Sequence, residues 1–550
     1  MIALRPPSEV MRLERLGCFH QTRLSFMRQL TRRMASEAWR FARPVWEIGT
    51  DGVGHAVYTA TGPKRTYSLV AFAHDLPDEK RTDRVIAEAW DATFTLFDGV
   101  PDAADIARLA RNVPLQEAGR VDARSLTLSR ANRSTRAWEM VVGALAAGRQ
   151  PDAARLAEIG YLMRTTAVYG SGKFGAADRE SYADRPELAA PFQAEMLTVY
   201  LIRAFVRDLA EHAARTRNPT APRLHDALAT ALGIGNSTGL GMAPFLVNHP
   251  GLIHNWIAAR ETAIARIRAL PEAAPEARAL FLDLLDRARA DLARWTTVHP
   301  RQARRVTQLR RDLAWLSRQP GLLAGPAPWD ALCRLAARLS PEASELIHSL
   351  ILEPYPEIVD PLATGMACAE DGAEPLDAGM PVGRLRTLLR EIYGPALDLD
   401  WDAPETCARL WYVSAEKQEP RLGERATEPL DAWEQPLAPA RDAARLWSVI
   451  DGQPDDGPVA HLLLDAPEHR AAIRRAQLIA RAPYGEIRDN TLAAAMQPID
   501  MLRAKLSFFG ATRFDPRSDR WLRICMFAGA PTPEALTTEM ADLWVYPPAA

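Results

Sequence analysis

The spacing of apolar and polar positions changes period twice along this 550-residue chain. Between Trp39 and Gly99 the runs WRFARPVWEI, HAVYTAT, RTYSLVAFA and DATFTLFDG are rich in aromatic and β-branched residues and partly alternate. Turn residues separate them, Asp51-Gly52-Val53-Gly54 and Gly62-Pro63-Lys64. Short runs of this kind between tight turns predict an antiparallel meander over 39–99. After Pro101 the period becomes helical. Asp102 is placed to cap DAADIARLARN by accepting a bond from a free first-turn amide. Helices are predicted near 129–148, 151–167 and 189–216, the last apolar on more than one face and so a core helix. Amphipathic stretches continue to about 350. Residues 353–380 are rich in proline, glycine and acidic side chains, and the β signal returns in RLWYVSAEK and RWLRICMFAG.

This pattern predicts a mainly α (α+β) protein: a large helical body with a small N-terminal antiparallel β-sheet and a second small β-containing portion near the C-terminus. Residues 102–350 are expected to be almost entirely helical. The expected divisions are 1–100 (helix plus meander), 101–352 (helical body), 353–380 (linker or long loop) and 381–550 (C-terminal α+β portion). The two β portions share a strand, acid-lysine, arginine order. Chance in an alanine- and arginine-rich chain accounts for that more readily than duplication.

Composition narrows the function classes. A net charge of −2 gives no global reason to expect nucleic acid. No apolar run approaches the ~20 residues of a membrane span, so no membrane partner is expected. Five scattered cysteines, none at zinc or redox spacing, suit a reducing compartment, the cytoplasm. The basic N-terminus has no apolar signal core after it and reads as an exposed amphipathic helix. Only five of the 67 basic residues are lysines, which draws attention to each of them and discounts isolated arginines.

Candidate chemistry lies first in Tyr169-Gly170-Ser171-Gly172-Lys173-Phe174-Gly175. Its glycines allow close approach of backbone to a ligand, and Lys173 among free amides suits phosphate or carboxylate. Ala167 and Phe174 replace the first glycine and the Ser/Thr of a phosphate loop, so a true one is not expected. The second candidate is Gly233–Gly241, where Asn236, Ser237, Thr238 and Gly239 would offer hydrogen bonds to an anion near a helix start. His249 and His254 follow at a spacing that does not put two metal ligands on one helical face, so no metal site is predicted. Either could carry a proton near neutral pH. Lys417 with Arg421, and Arg488, are weaker anion-binding candidates; the first pair reads more readily as a solvated surface turn, and Arg488 as part of a helix-to-helix turn.

The resulting expectation is an enzyme acting on a small anionic metabolite by non-redox chemistry. Tyr169, Ser171, Gly172, Asn236, Ser237, Thr238 and Gly239 would bind, Lys173, His249 and His254 would act, and the pocket would lie between helices. No cofactor is identified, and a homo-oligomer is compatible with the chain. The alternatives are a non-catalytic helical scaffold or ligand sensor, and a nucleotide-binding protein with a degenerate phosphate loop.

Overall fold

The computed structural model describes the chain outside residues 1, 19, 78–88, 116–122, 135, 171–172, 175–183, 237–246, 248, 367–374, 408–409, 415–419, 423–432, 437, 488–499, 501–502, 517–521 and 547–550. Among the rest, only the backbone is described for 166–170, 173–174, 364, 411–414, 420–422, 433–436, 505, 513–516, 522–523 and 543. The described chain forms two compact units, each discontinuous in sequence. The first comprises Met1–Cys18, Ala243–Phe281 and Arg318–Ala504; the second comprises Phe19–Met242, Leu282–Ser317 and Lys505–Ala550.

The second unit is built on one ten-stranded sheet. Its strands are β1 (Arg40–Ile48), β2 (Gly54–Thr61), β3 (Thr66–Ala73), β4 (Ala92–Asp98), β5 (Ser125–Arg133), β6 (Tyr161–Gly170), β7 (Lys173–Phe174) and β8 (Gly233–Asn236), with two late strands, Arg513–Pro516 and Leu522–Met526. The first six pair in sequence order and antiparallel. Then β8 lies parallel to β6, and Leu522–Met526 lies antiparallel to β8. Pro44 sits in edge strand β1 beside a register shift between Ala42 and Val45, where a missing N–H is tolerated. Helix Gln193–Arg217 packs on one face of the sheet: Phe205 meets Tyr58 and Phe94 edge-on, and Thr198 Oγ1 bonds Thr127 Oγ1 at 2.8 Å. Edge-to-face pairs of this kind add about 0.5–1.5 kcal/mol each beyond the area they bury.

This sheet corrects the expected architecture. The mainly helical α+β class fits, but the sheet is neither small nor confined to the N-terminus. Residues 102–350 are not almost entirely helical, because β5, β6 and β8 lie within them. The C-terminal run RWLRICMFAG does not belong to a second small β portion; its residues Leu522–Met526 complete the same sheet. The reason is local. Helix Ala153–Ile159 stops at Gly160, whose φ of 78° is a left-handed C-cap, and YLMRTTAVYG then extends as a strand. Strand β8 is hidden by its glycines. A Cβ on Gly235 would meet the Tyr161 ring at 2.7 Å, and one on Gly233 would meet the Met526 carbonyl oxygen at 2.3 Å.

The first unit is helical, with a separate three-stranded sheet, β9 (Trp411–Ser414), β10 (Pro420–Leu422) and β11 (Trp433–Pro436). Helices Val382–Leu397, Pro439–Ile450 and Arg470–Arg481 share one apolar core around Leu385, Leu389, Leu446 and Ile473. Trp329 is fully buried against Phe281 and Tyr355, and its indole N–H donates to the Tyr355 hydroxyl at 2.7 Å. Among the described residues no helix is long and apolar enough to cross a membrane.

Candidate functional site

One end of the large sheet gathers the chemistry of the second unit. Tyr67 near the start of β3 faces Asp98 at the end of β4, Phe97 faces Ser125 at the start of β5, and Thr127 faces Gly170 at the end of β6. Gly170 pairs antiparallel with Lys173. The described residues of the Tyr169–Gly175 motif are therefore strand and not helix: Tyr169 and Gly170 end β6, and Lys173 and Phe174 form β7.

The described part of the second glycine-rich segment, Gly233–Asn236, lies beside the start of the strand that ends at Gly170. Strand β8 runs parallel to β6, with Thr165 opposite Asn236. Asn236 is buried, its side-chain amide 3.5 Å from Thr165 Oγ1, which itself donates to the Gly235 carbonyl at 3.4 Å. Ser237, Thr238 and Gly239 lie outside the described residues, as do Ser171 and Gly172. For Tyr169 and Lys173 only the backbone is described. Gly233 and Gly235 are also accounted for by packing, so they no longer speak for ligand approach.

Charged side chains crowd the same end. Asp98 Oδ2 accepts from Arg65 Nη1 at 3.1 Å and from Arg185 Nε at 2.8 Å. Both guanidinium groups also reach Asp184, at 3.2 and 2.9 Å. Glu187 is buried, yet neither of its carboxylate oxygens has a hydrogen-bond partner among the described residues, and neither has the hydroxyl of fully buried Tyr67. Burial, then the negative charges of Glu187 and Asp98, push the Tyr67 hydroxyl above its ordinary pKa. Trp39 stacks on the Tyr67 ring at 6.2 Å.

The remaining candidates belong to the first unit. His249 occupies the N-cap position of helix Pro250–Arg268. His254 stacks on Tyr484 at 5.7 Å, and its Nδ1 accepts the Tyr484 amide at 3.2 Å. Burial lowers its pKa. Arg421 lies in β10, with only its backbone described, and Lys417 and Arg488 lie outside the described residues.

Sequence reasoning missed the densest ionic cluster, also in the first unit. Arg5 forks onto Glu261 with two bonds of 2.8 Å and reaches Glu345 at 2.7 Å. Glu345 also accepts from Arg15 at 3.0 Å and from Arg260. Burial alone would raise the Glu345 carboxyl, but Arg5 and Arg260 hold it well below the usual carboxylate range. Nearby, Arg503 is fully buried and pairs with Glu342 at 3.0 Å. The basic N-terminus is thus not an exposed amphipathic helix: Arg5 is buried here, as Arg23 and Arg28 are in the second unit. Among the described residues no group of three His, Cys, Asp or Glu could hold a metal ion.

Comparison of the chain with protein-family models, with curated proteins and with solved structures finds no match.

Proposed function

We propose that the chain acts by non-redox chemistry on a small anionic metabolite, one bearing a carboxylate or a phosphate, held at the sheet end where β6 and β8 point. The observation that supports this reading is the parallel pairing of these strands. It sets Gly233–Asn236 beside the strand that ends at Gly170, at the place where the sheet changes from antiparallel to parallel order. In open sheets the carboxyl ends of parallel strands at such a change of order are where connections part and ligands enter. Lys173, paired to Gly170 through the backbone, supplies a compact cation with rotatable donors at that end.

The test is calorimetric titration of the full chain with inorganic phosphate and with malonate. Saturable binding of at least one is expected, lost in Lys173→Met and weakened in Lys173→Arg. Equal binding by Lys173→Met, or no binding of either anion, would overturn the reading. Stabilisation by ATP without any response to phosphate or malonate would instead favour a nucleotide-binding protein.

A further inference from the structure

The net charge of −2 hides a local imbalance on helix Pro300–Leu316 of the second unit. This helix carries five arginines, Arg301, Arg304, Arg305, Arg310 and Arg311, against one acid, Asp312. Its apolar positions Val306, Leu309, Leu313 and Leu316 are buried, and so is Asp312, which accepts from Gln308 at 2.8 Å. Arg310 is taken up by main-chain carbonyls, that of Leu292 at 2.8 Å among them. What faces solvent is the row Arg304, Gln308, Arg311 and Trp315, all exposed. Steps of four, three and four residues make this row one stripe along the helix, and at 1.5 Å per residue it runs about 16 Å. The helix before it shows how an arginine-bearing surface is ordinarily neutralised in this chain. There Arg287 pairs with Asp283 at 2.6 Å, Arg289 with Asp286 at 2.9 Å and Arg294 with Asp291 at 3.3 Å, each three or four residues apart. Arg304 and Arg311 have no acid three or four residues away on either side. Trp315 is a second, separate oddity: at 39 % exposed it is the one aromatic among the large apolar side chains that the described residues leave at the surface.

We propose that this stripe binds single-stranded nucleic acid, with the guanidinium groups of Arg304 and Arg311 on backbone phosphates and the Trp315 ring against a base. A guanidinium presents a planar fork of donors that matches phosphate oxygens. An aromatic ring set among cations offers a stacking surface that any unpaired base can use. Other polyanions fit the same row less well. A helix that lies on an anionic membrane needs an apolar face free to enter it, and here Val306, Leu309, Leu313 and Leu316 are buried. An acidic polypeptide would meet the arginines but make no use of the ring. A duplex offers phosphates while its base faces stay stacked on one another. The inference is independent of the anion site, because it uses neither Lys173 nor the glycine segments.

The experiment is fluorescence anisotropy of a labelled single-stranded oligouridylate titrated with the full chain over a series of salt concentrations. Binding is expected and should weaken as salt rises. Arg304→Ala and Arg311→Ala should each weaken it and lower the log–log salt slope by about 0.7, the value for one phosphate contact on a single strand. Trp315→Ala should weaken binding about 5- to 150-fold, the range of one base–aromatic stack, and Trp315→Phe should recover part of that. Arg289→Ala, which removes a cation already paired with Asp286, should leave affinity and slope nearly unchanged. The substituted side chains lie at the surface, so each variant should keep a Tm close to the parent's. The inference is overturned if oligouridylate does not bind, or if binding is the same in the Arg304 and Arg311 variants. A response to the arginine variants with none to Trp315→Ala would also overturn it, because the row would then be a plain cationic surface. Tighter binding of polyglutamate, or of phosphatidylserine vesicles, than of oligouridylate would overturn it in favour of an acidic protein or a membrane.

Discussion

Two buried glutamates, one in each unit, stand in opposite surroundings. Glu345 is fully buried and accepts from Arg5, Arg15 and Arg260. Glu187 is 7 % exposed and its carboxylate accepts from no described residue. The first is a structural tie: it joins the N-terminal segment to helices Pro250–Arg268 and Pro341–Leu350 by charge-assisted bonds. A compensated buried charge of this kind contributes little net stability against an apolar replacement, but breaking it from one side is severe. The second makes no such tie among the described residues. Burial and residue type alone do not distinguish these two charges; their partners do.

The largest expected effect tests the tie. Glu345→Gln leaves Arg5, Arg15 and Arg260 facing a neutral amide, and should destabilise the first unit by about 3–5 kcal/mol. Denaturant unfolding would measure this. A loss under about 1 kcal/mol, the range of an exposed pair, would show that solvent already compensates the cluster and would remove the contrast with Glu187.

Arg5→Ala should cost slightly less, about 3 kcal/mol, because Arg15 and Arg260 still serve Glu345 while Glu261 loses its two-bond partner. Millimolar guanidinium should restore part of the loss by entering the vacated space between Glu261 and Glu345. Restoration by sodium at equal ionic strength would mean that screening, not a shaped cavity, governs this end of the cluster.

How much of this was legible in the sequence depends on the range of the interaction. The meander between Trp39 and Gly99 is visible because its strands alternate and its turns carry Gly and Pro. Strand β6 was hidden because YLMRTTAVYG does not alternate and continues a helical run; the one local signal was Gly160. Strand β8 has no local signal at all, since Gly233 and Gly235 resemble a loop until Tyr161 and Met526 lie against them. Lys173 stood out because lysine is scarce in this chain. The same compositional argument discounted the arginines, and so passed over Arg5 and Arg260, whose importance lies in partners more than 80 residues away. Nothing around Glu187 in DRPELAA marks it, because the absence of a partner is a property of the folded chain.

A middle-sized effect separates the two uses of glycine. Gly235→Ala should destabilise the second unit by about 1–3 kcal/mol, because its Cβ would press on the Tyr161 ring between two paired strands. A chain with unchanged Tm that loses phosphate or malonate binding would return Gly235 to the ligand site and weaken the packing account.

The smallest effect is a pH dependence confined to the paired cluster. His348 Nδ1 donates to the Ser344 carbonyl at 2.7 Å, and burial, followed by the charge of Arg5, lowers its pKa well below the ordinary histidine value. The ring is therefore neutral in the folded chain. Below about pH 6.5 the unfolded chain takes up a proton that the folded chain does not, so stability falls as pH falls, by at most about 1.4 kcal/mol per pH unit. The Glu345 carboxyl, held low by Arg5 and Arg260, contributes in the same direction only at more acidic pH, through the window below about 4.3 where an unfolded glutamate protonates. Between about pH 6.5 and 4.5 His348, His254 and His74, all lowered by burial, pull stability down as pH falls, while Asp442, raised by burial, pulls the other way as pH approaches the carboxylate range. His348→Gln keeps a donor for the Ser344 carbonyl and removes the titration, so chemical denaturation across this window should show a shallower acid slope than the parent chain. An unchanged slope would place the acid sensitivity on His254 and His74, and would mean that the Arg5–Glu345 cluster keeps its charges without expelling a proton from its neighbour.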